Sequence, residues 1–322
     1  MPSIHDSARR RLLQTGVLAL LAPALGVVRA AQTPSDGFDA ESTAEDVTRG
    51  LDLTGRTIVV TGCTSGIGLE TMRVLAMRGA HVIGTARTRE KGDAARVGIT
   101  GRTSTVVLDL ADFDSVRTCA AQIRELSVHI DALVCNAGIV LDDWQQVRGL
   151  EMQFVVNHLG HFLLVDELLE RVVAAPQGRV VVLGSGDHGK APPGGIQFDR
   201  LSGEGWYERG YSHSKLANGL FSLELSRRLR GTRATSNCVT PGHTRTDILR
   251  HVGNGYGSHA RTVQQGAATP CYAAVHPAMA TVTGEYLRDF RPAEQSAEQR
   301  DASMAKRLWE VSERLTRADT LP

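Results

Sequence analysis

Tyr211 and Lys215 stand four residues apart in Tyr211-Ser212-His213-Ser214-Lys215, at the start of a strongly helical run. Residues i and i+4 share a helix face, so a phenol and an ammonium at this spacing converge. A phenol with its ordinary pKa near about 10 exchanges protons poorly at neutral pH. A neighbouring ammonium stabilises phenolate and lowers that value. Tyr211 is then suited to act as general acid toward a ketone or aldehyde, or as general base toward an alcohol. No other tyrosine of the chain has a lysine four positions on. The pair alone is a weak signal, so the rest of the chain decides.

Ser185 follows an apolar run at 179–184. In a parallel sheet, ligands bind beyond the carboxyl ends of the strands, where a hydroxyl can hydrogen-bond a carbonyl oxygen. Asn136-Ala137-Gly138 ends the preceding apolar run in the same way. Asn157 lies inside a helical segment, in Asn157-His158-Leu159-Gly160-His161-Phe162. Asparagine is costly there in propensity terms. It is either a satisfied buried amide or a side chain with a task. His158 and His161 are spaced to share a helix face, but no third ligand with metal-site spacing and no HEXXH pattern accompanies them, so no metal is expected.

An upstream loop supplies a second kind of chemistry. Thr61-Gly62-Cys63-Thr64-Ser65-Gly66-Ile67-Gly68 joins an apolar run to an amphipathic one. Glycines let a backbone turn sharply and approach a pyrophosphate, and a helix N-terminus offers amide donors. The spacing is G-x-x-x-G-x-G rather than G-x-G-x-x-G. Arg87 lies nineteen residues beyond Gly68, where an NAD site would place an acid, and Arg89 and Lys91 follow it. A guanidinium suits a ribose 2′-phosphate. The expected cofactor is therefore NADP(H).

Elements must hold these residues. Apolar runs at 57–61, 81–85, 103–108, 132–135, 179–184 and 235–239 read as strands, and segments 67–78, 115–126, 144–173 and 211–229 read as helices. Such alternation predicts an α/β domain: one Rossmann-type, doubly wound parallel sheet with helices on both faces. A polar helix over 302–315 closes the chain.

The ordered set resembles the short-chain dehydrogenase/reductase family: TGCTSGIG (61–68), Asp109 after the third strand, NAG (136–138), Asn157, Ser185, YSHSK (211–215) and Pro241-Gly242. NHLGHF (157–162), SKLAN (214–218) and the tail 300–312 are similar to the retinol dehydrogenase and WW-domain oxidoreductase branch. The resemblance spans about residues 52–290. It implies NADP(H)-linked interconversion of a lipophilic alcohol with an aldehyde or ketone. It also implies a catalytic set in which Ser185 polarises the carbonyl and Tyr211 transfers the proton. Lys215 would lower the tyrosine pKa and bind the nicotinamide ribose, and Asn157 would hold a water in a relay to Lys215. Around the cofactor it implies Gly62, Thr64, Ser65, Gly66, Ile67 and Gly68 at the phosphates, Asp109 and Leu110 at adenine, and Asn136, Ala137 and Gly138 along one wall. Pro241, Gly242, Thr244 and Thr246 would grip the carboxamide. Two departures stand out. Gly184 replaces a common serine, and 26 residues separate Ser185 from Tyr211. The insert, rich in proline and glycine at 191–195, resembles the extended loop of the retinol dehydrogenase branch. Tyr207 has Tyr211, not lysine, four residues on.

Composition bounds the alternatives. The 322 residues are 42% hydrophobic, enough for one large α/β domain. Lys+Arg (36) nearly cancels Asp+Glu (35), which gives no field for nucleic acid. Five widely spaced cysteines fit buried apolar side chains better than a disulfide framework. Residues 7–14 (SARRRLLQ), an apolar stretch of about 14 residues and Val28-Arg29-Ala30 read as a twin-arginine-type signal over 1–30, too short to span a membrane at roughly 20 residues. The expectation is a periplasmic or secreted protein; a cytoplasmic or N-terminally anchored one is the alternative. Residues 31–50 read as a polar linker, and 51–322 as the oxidoreductase domain. The glycine-rich segment 248–262 is the expected substrate lid. Helices 144–173 and 211–229 match those the family pairs between subunits, so a homodimer or homotetramer is considered. Two other functions compete: a non-catalytic NADP(H)-binding sensor or scaffold, and a carbon–carbon double-bond reductase of the same fold.

Overall fold

Apolar strand residues buried on both faces set the architecture. Ile58, Val59 and Val60 are all fully buried in β1 (Thr57–Val60). That is the pattern of a parallel strand covered by helices on each side. The computed structural model describes residues 37–249 and 260–317. The expected signal segment and most of 248–262 lie outside the described residues.

The chain winds from α1 (Ala44–Val47) through β1 to α2 (Gly66–Met77), β2 (His81–Ala86), α3 (Arg89–Ala95), β3 (Thr103–Val107), α4 (Phe113–Leu126) and β4 (Ala132–Cys135). A hairpin, β5 (Gln146–Val147) and β6 (Leu150–Glu151), precedes a long helix α5. That helix starts α-helical at Met152–Phe154, passes through a π-helical turn at Val155–Leu159 and resumes at Gly160–Ala174. Next come β7 (Arg179–Leu183), α6 (Gly210–Arg228), β8 (Thr235–Thr240), α7 (Ala268–Val275), β9 (Tyr286–Arg288), β10 (Arg291–Pro292) and α8 (Ala302–Arg317). The sheet order is β10-β9-β8-β7-β4-β1-β2-β3, parallel except for β10.

Alternate residues of one strand feed two cores. Val59 joins Ile83, Leu133, Phe113, Phe154 and Phe162 on one side. Ile58 and Val60 join Val82, Val134, Leu75 and Tyr272 on the other. The strand order reverses between β1 and β4, and ligands bind in open α/β sheets at such a point.

Three expectations are corrected. The expected linker is structured in its second half. Thr43 and Asp46 form a reciprocal capping box, and Ala44 and Val47 are buried on one face of α1. The expected helix over 144–173 begins at Met152. Arg148 (φ 54°) and Gly149 (φ 73°) both adopt the left-handed conformation of a two-residue hairpin turn. The Glu151 carboxylate then accepts bonds from the amides of Gln153 (3.0 Å) and Phe154 (2.7 Å) and starts the helix. The seventh parallel strand, β9, with α3 and α7, was not expected at all.

The C-terminal helix is part of the body. Its buried stripe, Ala305, Leu308, Trp309, Ser312 and Thr316, lies against α6 and α5. Trp309 meets Phe162 edge-on at 4.9 Å, and the Arg228 guanidinium covers its ring at 4.2 Å. α6 is therefore buried on nearly all sides, with a continuous buried run from Ser212 to Ser222. Trp309→Ala should cost about 3–5 kcal/mol in urea unfolding. A loss under about 1 kcal/mol would show that α8 is not part of the core.

Candidate active site

The carboxyl ends of β1, β4, β7 and β8 bring the sequence candidates to one region. The loop after β1 turns through Gly62 (φ 72°) and Gly66 (φ 56°) into α2. Ser65, the N-cap of α2, makes no side-chain bond to that helix, which leaves the first-turn amides facing the loop. A Cβ on Gly68 would overlap the Gly62 carbonyl oxygen and the Asn136 amide, so only glycine fits. Thr246 crosses back over this loop, its Cγ2 3.2 Å from where a Gly66 Cβ would stand. Arg87 is exposed immediately after β2, before Thr88 caps α3. Asp109 follows β3, and its carboxylate accepts the Ala111 amide at 2.9 Å. Leu110 is buried, and its carbonyl would lie 2.5 Å from a Cβ on Gly160. The residues present thus form a glycine cradle with a basic group beyond β2, and they fit a dinucleotide.

The segment 241–246 is held from behind. Arg261 donates to the His243 carbonyl (2.8 Å) and accepts from the Arg245 amide (2.9 Å) in a parallel bridge opposite Thr244. In such a bridge the backbone groups of Thr244 itself point away from Arg261. The Thr244 hydroxyl donates to the Pro241 and Gly242 carbonyls (both 3.2 Å) and ties the turn.

Lys215 is buried, and its ammonium donates to the Leu183 carbonyl at 3.0 Å. Asn218 donates to the same oxygen at 3.0 Å. Nζ lies 5.5 Å from the centre of the Tyr211 ring. Burial lowers the Lys215 pKa to about 8. Ser185 stands two residues past Leu183 and caps a short 3₁₀ turn, its Oγ accepting the Asp187 amide at 3.2 Å. That bond uses an acceptor lone pair and leaves the hydroxyl proton to be donated elsewhere. Asn157 sits in the π turn. Its Oδ1 accepts the Ile139 amide (2.8 Å), and its Nδ2 donates to the Ile139 carbonyl (3.0 Å) and the Ser214 hydroxyl (3.0 Å). A Cβ on Gly138 would stand 3.2 Å from Asn157 Oδ1 and 3.7 Å from Lys215 Nζ, so the β4 loop faces both groups.

The chain matches known proteins in sequence and in fold. The short chain dehydrogenase family profile matches residues 56–257. The chain is 39% identical over 308 residues to the short-chain dehydrogenase TIC 32 B, chloroplastic, of Brassica napus, covering 89% of this chain and 96% of that one. It is 39% identical over 286 residues to human retinol dehydrogenase 13, covering 81% and 84%. A crystal structure from Mycobacterium paratuberculosis is similar with a TM-score of 0.70, 32% identity and coverage of 86% and 98%. An NADP active-site complex of RhlG from Pseudomonas aeruginosa is similar with a TM-score of 0.59, 25% identity and coverage of 73% and 95%.

The chain belongs to the short-chain dehydrogenase family. It is an oxidoreductase of the retinol dehydrogenase-like branch, a family that binds a nicotinamide cofactor.

Both departures from the family pattern have physical causes. A Cβ at Gly184 would lie 2.6 Å from Cys238 Sγ and 3.3 Å from the Tyr286 ring, so a serine there would clash. The insert before Tyr211 folds back onto α6, with the Gln197 amide donating to His213 Nε2 at 3.1 Å. Tyr207 lies within this insert and stacks on Trp144 at 5.7 Å. The two histidines beside Asn157 have different partners. His158 bonds Ser312 on α8 (2.9 Å), and His161 bonds Thr61 on the sheet (2.9 Å). All five cysteines are buried, free thiols. Sequence reasoning missed Thr61 and His161 as parts of the site. The Thr61 hydroxyl accepts the amides of Asn136 and Ala137 (both 2.9 Å), which fixes the β4 loop to the glycine loop.

Three fully buried histidines predict an acid limit. Burial lowers His158 and His213 from 6.5 to about 3 and His161 to about 4. Their folded pKa values lie below the unfolded ones. The stability they permit is complete above 6.5 and is lost as pH falls from there toward 4. The limiting slope is about 1.4 kcal/mol per pH unit for each histidine, or about 4 for three. Urea unfolding followed at stepped pH should show this fall. Unchanged midpoints down to roughly pH 4.5 would contradict neutral burial.

Proposed function

We propose that this oxidoreductase interconverts an alcohol and a ketone or aldehyde, on a lipophilic small molecule, with NADP(H). The observation that carries the reading is the buried Lys215 ammonium 5.5 Å from the centre of the Tyr211 ring, with Gly138 and Asn157 on its other side. The nicotinamide, when bound, supplies or accepts the hydride. In the reducing direction the substrate oxygen sits against Ser185 and Tyr211. The Ser185 hydroxyl, its acceptor side occupied by Asp187, donates to that oxygen. As hydride reaches the carbonyl carbon, the π electron pair moves to oxygen. Tyr211 then passes its proton to the alkoxide. The Lys215 ammonium stabilises the phenolate left behind, and a water held near Asn157 returns a proton from solvent. Oxidation runs the same steps backwards.

Lys215 connects sequence, burial and chemistry. The pKa of about 8 keeps it mostly cationic at neutral pH. A non-catalytic sensor could use Lys215 at the ribose but has no need of a tyrosine beside it. Tyr211→Phe should keep cofactor binding and lower turnover by about 100- to 10,000-fold. The assay is a panel of carbonyl compounds with NADPH, followed by absorbance. Full activity in that variant rules out the proton-transfer role.

For the cofactor, Arg87 is the supporting residue, exposed at the end of β2 where the ribose of a bound dinucleotide lies. Its guanidinium pairs with a 2′-phosphate. Arg87→Ala should weaken NADPH by about 10- to 100-fold and leave NADH nearly unchanged. Equal losses for both cofactors in fluorescence titrations would remove Arg87 from that role.

A further inference from the structure

We propose that His161 is a positioning residue, whose imidazole locks the cofactor floor at Thr61 to the backbone of Asn157. The inference rests on the oxidoreductase reading and goes beyond it, because no step of the reaction uses His161.

The Thr61 and His161 side chains are both buried, so each proton between them needs a protein partner. The Thr61 hydroxyl has one hydrogen and two acceptor lone pairs. The amides of Asn136 and Ala137 donate to it at 2.9 Å, the Asn136 amide being shared with the Val134 carbonyl at 3.0 Å. Its single proton then has two acceptors in reach: His161 Nε2 at 2.9 Å and the Val134 carbonyl at 3.5 Å. The Val134 carbonyl already accepts the Thr61 amide at 3.0 Å. The proton goes to the nearer, unclaimed nitrogen, so Nε2 is an acceptor. The other nitrogen, Nδ1, lies 3.1 Å from the Asn157 carbonyl and must be the donor. Every polar atom is satisfied by one arrangement only: Thr61 O–H to Nε2, Nδ1–H to Asn157. An imidazolium would turn an Nε2 proton toward a Thr61 oxygen that two amides already face. The pKa of about 4, set by burial and opposed by the Asn157 bond, agrees with a neutral ring.

Both ends of this link are in the site. Thr61 holds the β4 loop, and Asn136 of that loop donates in turn to the Thr61 carbonyl at 2.8 Å. Asn157 lies in a π turn, where the Gly160 amide reaches back five residues to the Val155 carbonyl. Such widened turns occur at functional sites. His161 Nδ1 reaches the Asn157 carbonyl from the next turn at 3.1 Å. An apolar residue at 161 would leave the Asn157 carbonyl and the Thr61 proton without these partners, at a spot that is 1% exposed. Asn157 and the glycine loop would then shift relative to each other.

The test uses the full chain. His161→Gln keeps a donor and an acceptor. It should hold kcat and the cofactor KM within about threefold of the parent. His161→Leu should stay folded by circular dichroism and lose about 10- to 100-fold in kcat. Thr61→Val should show a similar loss, and Thr61→Val with His161→Leu should be no worse than the poorer single variant. Wild-type kinetics in His161→Leu, or equal damage in His161→Gln and His161→Leu, would overturn the proposal. One readout needs neither turnover nor a stable variant. In nitrogen-15 histidine spectra of the parent protein, the His161 ring should carry its proton on Nδ1 and none on Nε2, with the signal assigned by its loss in His161→Gln. A proton on Nε2 would overturn it as well. Failure of the parent to reduce any carbonyl would count against the proposed function instead. NADPH titration of His161→Leu and the ring spectrum would still decide this link.

Discussion

The reversal of winding between β1 and β4 is the constraint on which the site depends. Connections leave these neighbouring strands toward opposite edges of the sheet, so their carboxyl ends are not roofed by a shared helix. The glycine loop and the Asn136–Gly138 loop face each other across that gap. They are joined by small groups. The Thr61 hydroxyl and the Asn136 amide do this with three short bonds to backbone atoms and a fourth at 3.4 Å. Glycine at 68 follows from the same closeness, since any side chain there would displace Asn136.

A second constraint is the burial of Lys215. Lowering an ammonium from 10.5 to about 8 corresponds to a cost of about 3 kcal/mol in holding the charge. The bond from this charged donor to the Leu183 carbonyl contributes about 1.5–3 kcal/mol and offsets much of that, not all. The site is therefore less stable than an apolar packing would be, and the large cores on both faces of the sheet supply the difference. The compensation is functional. A poorly hydrated cation acts on a nearby phenol through a low dielectric, where its effect is several times that in water.

Legibility in the sequence followed how local each cause was. The strands 57–60, 81–86 and 132–135 were readable because burial on both faces makes them continuous apolar runs. Tyr211 and Lys215 were readable because helix geometry relates them within one turn. The hairpin before α5 was hidden, because its turn depends on left-handed backbone at Arg148 and Gly149 inside a segment with helical spacing. β9 was hidden because three residues carry too little pattern, and α3 because its face is polar. Thr61 and His161 are 100 positions apart, and only the fold makes their bond. The available hint was local: a histidine one turn after Asn157, beside a glycine within a helix. It was weighed as a metal ligand, whereas Gly160 is there to admit the Leu110 backbone.

The C-terminal helix bears on assembly through packing alone. α5 and α6 present apolar side chains on the side away from the sheet, among them Phe162, Phe221 and Leu225. In this chain α8 covers that side, with Leu308 and Trp309 filling the space between the two helices. An α5–α6 contact with a second copy would require α8 to leave. Moving it would expose Trp309 and the aromatic layer beneath it, and would break the bond between His158 and Ser312. A fully buried tryptophan contributes about 3–5 kcal/mol by itself. A pairing surface would have to exceed that before any net association appeared. The same helix that completes the core thus closes one face of α6, the helix that carries Tyr211 and Lys215.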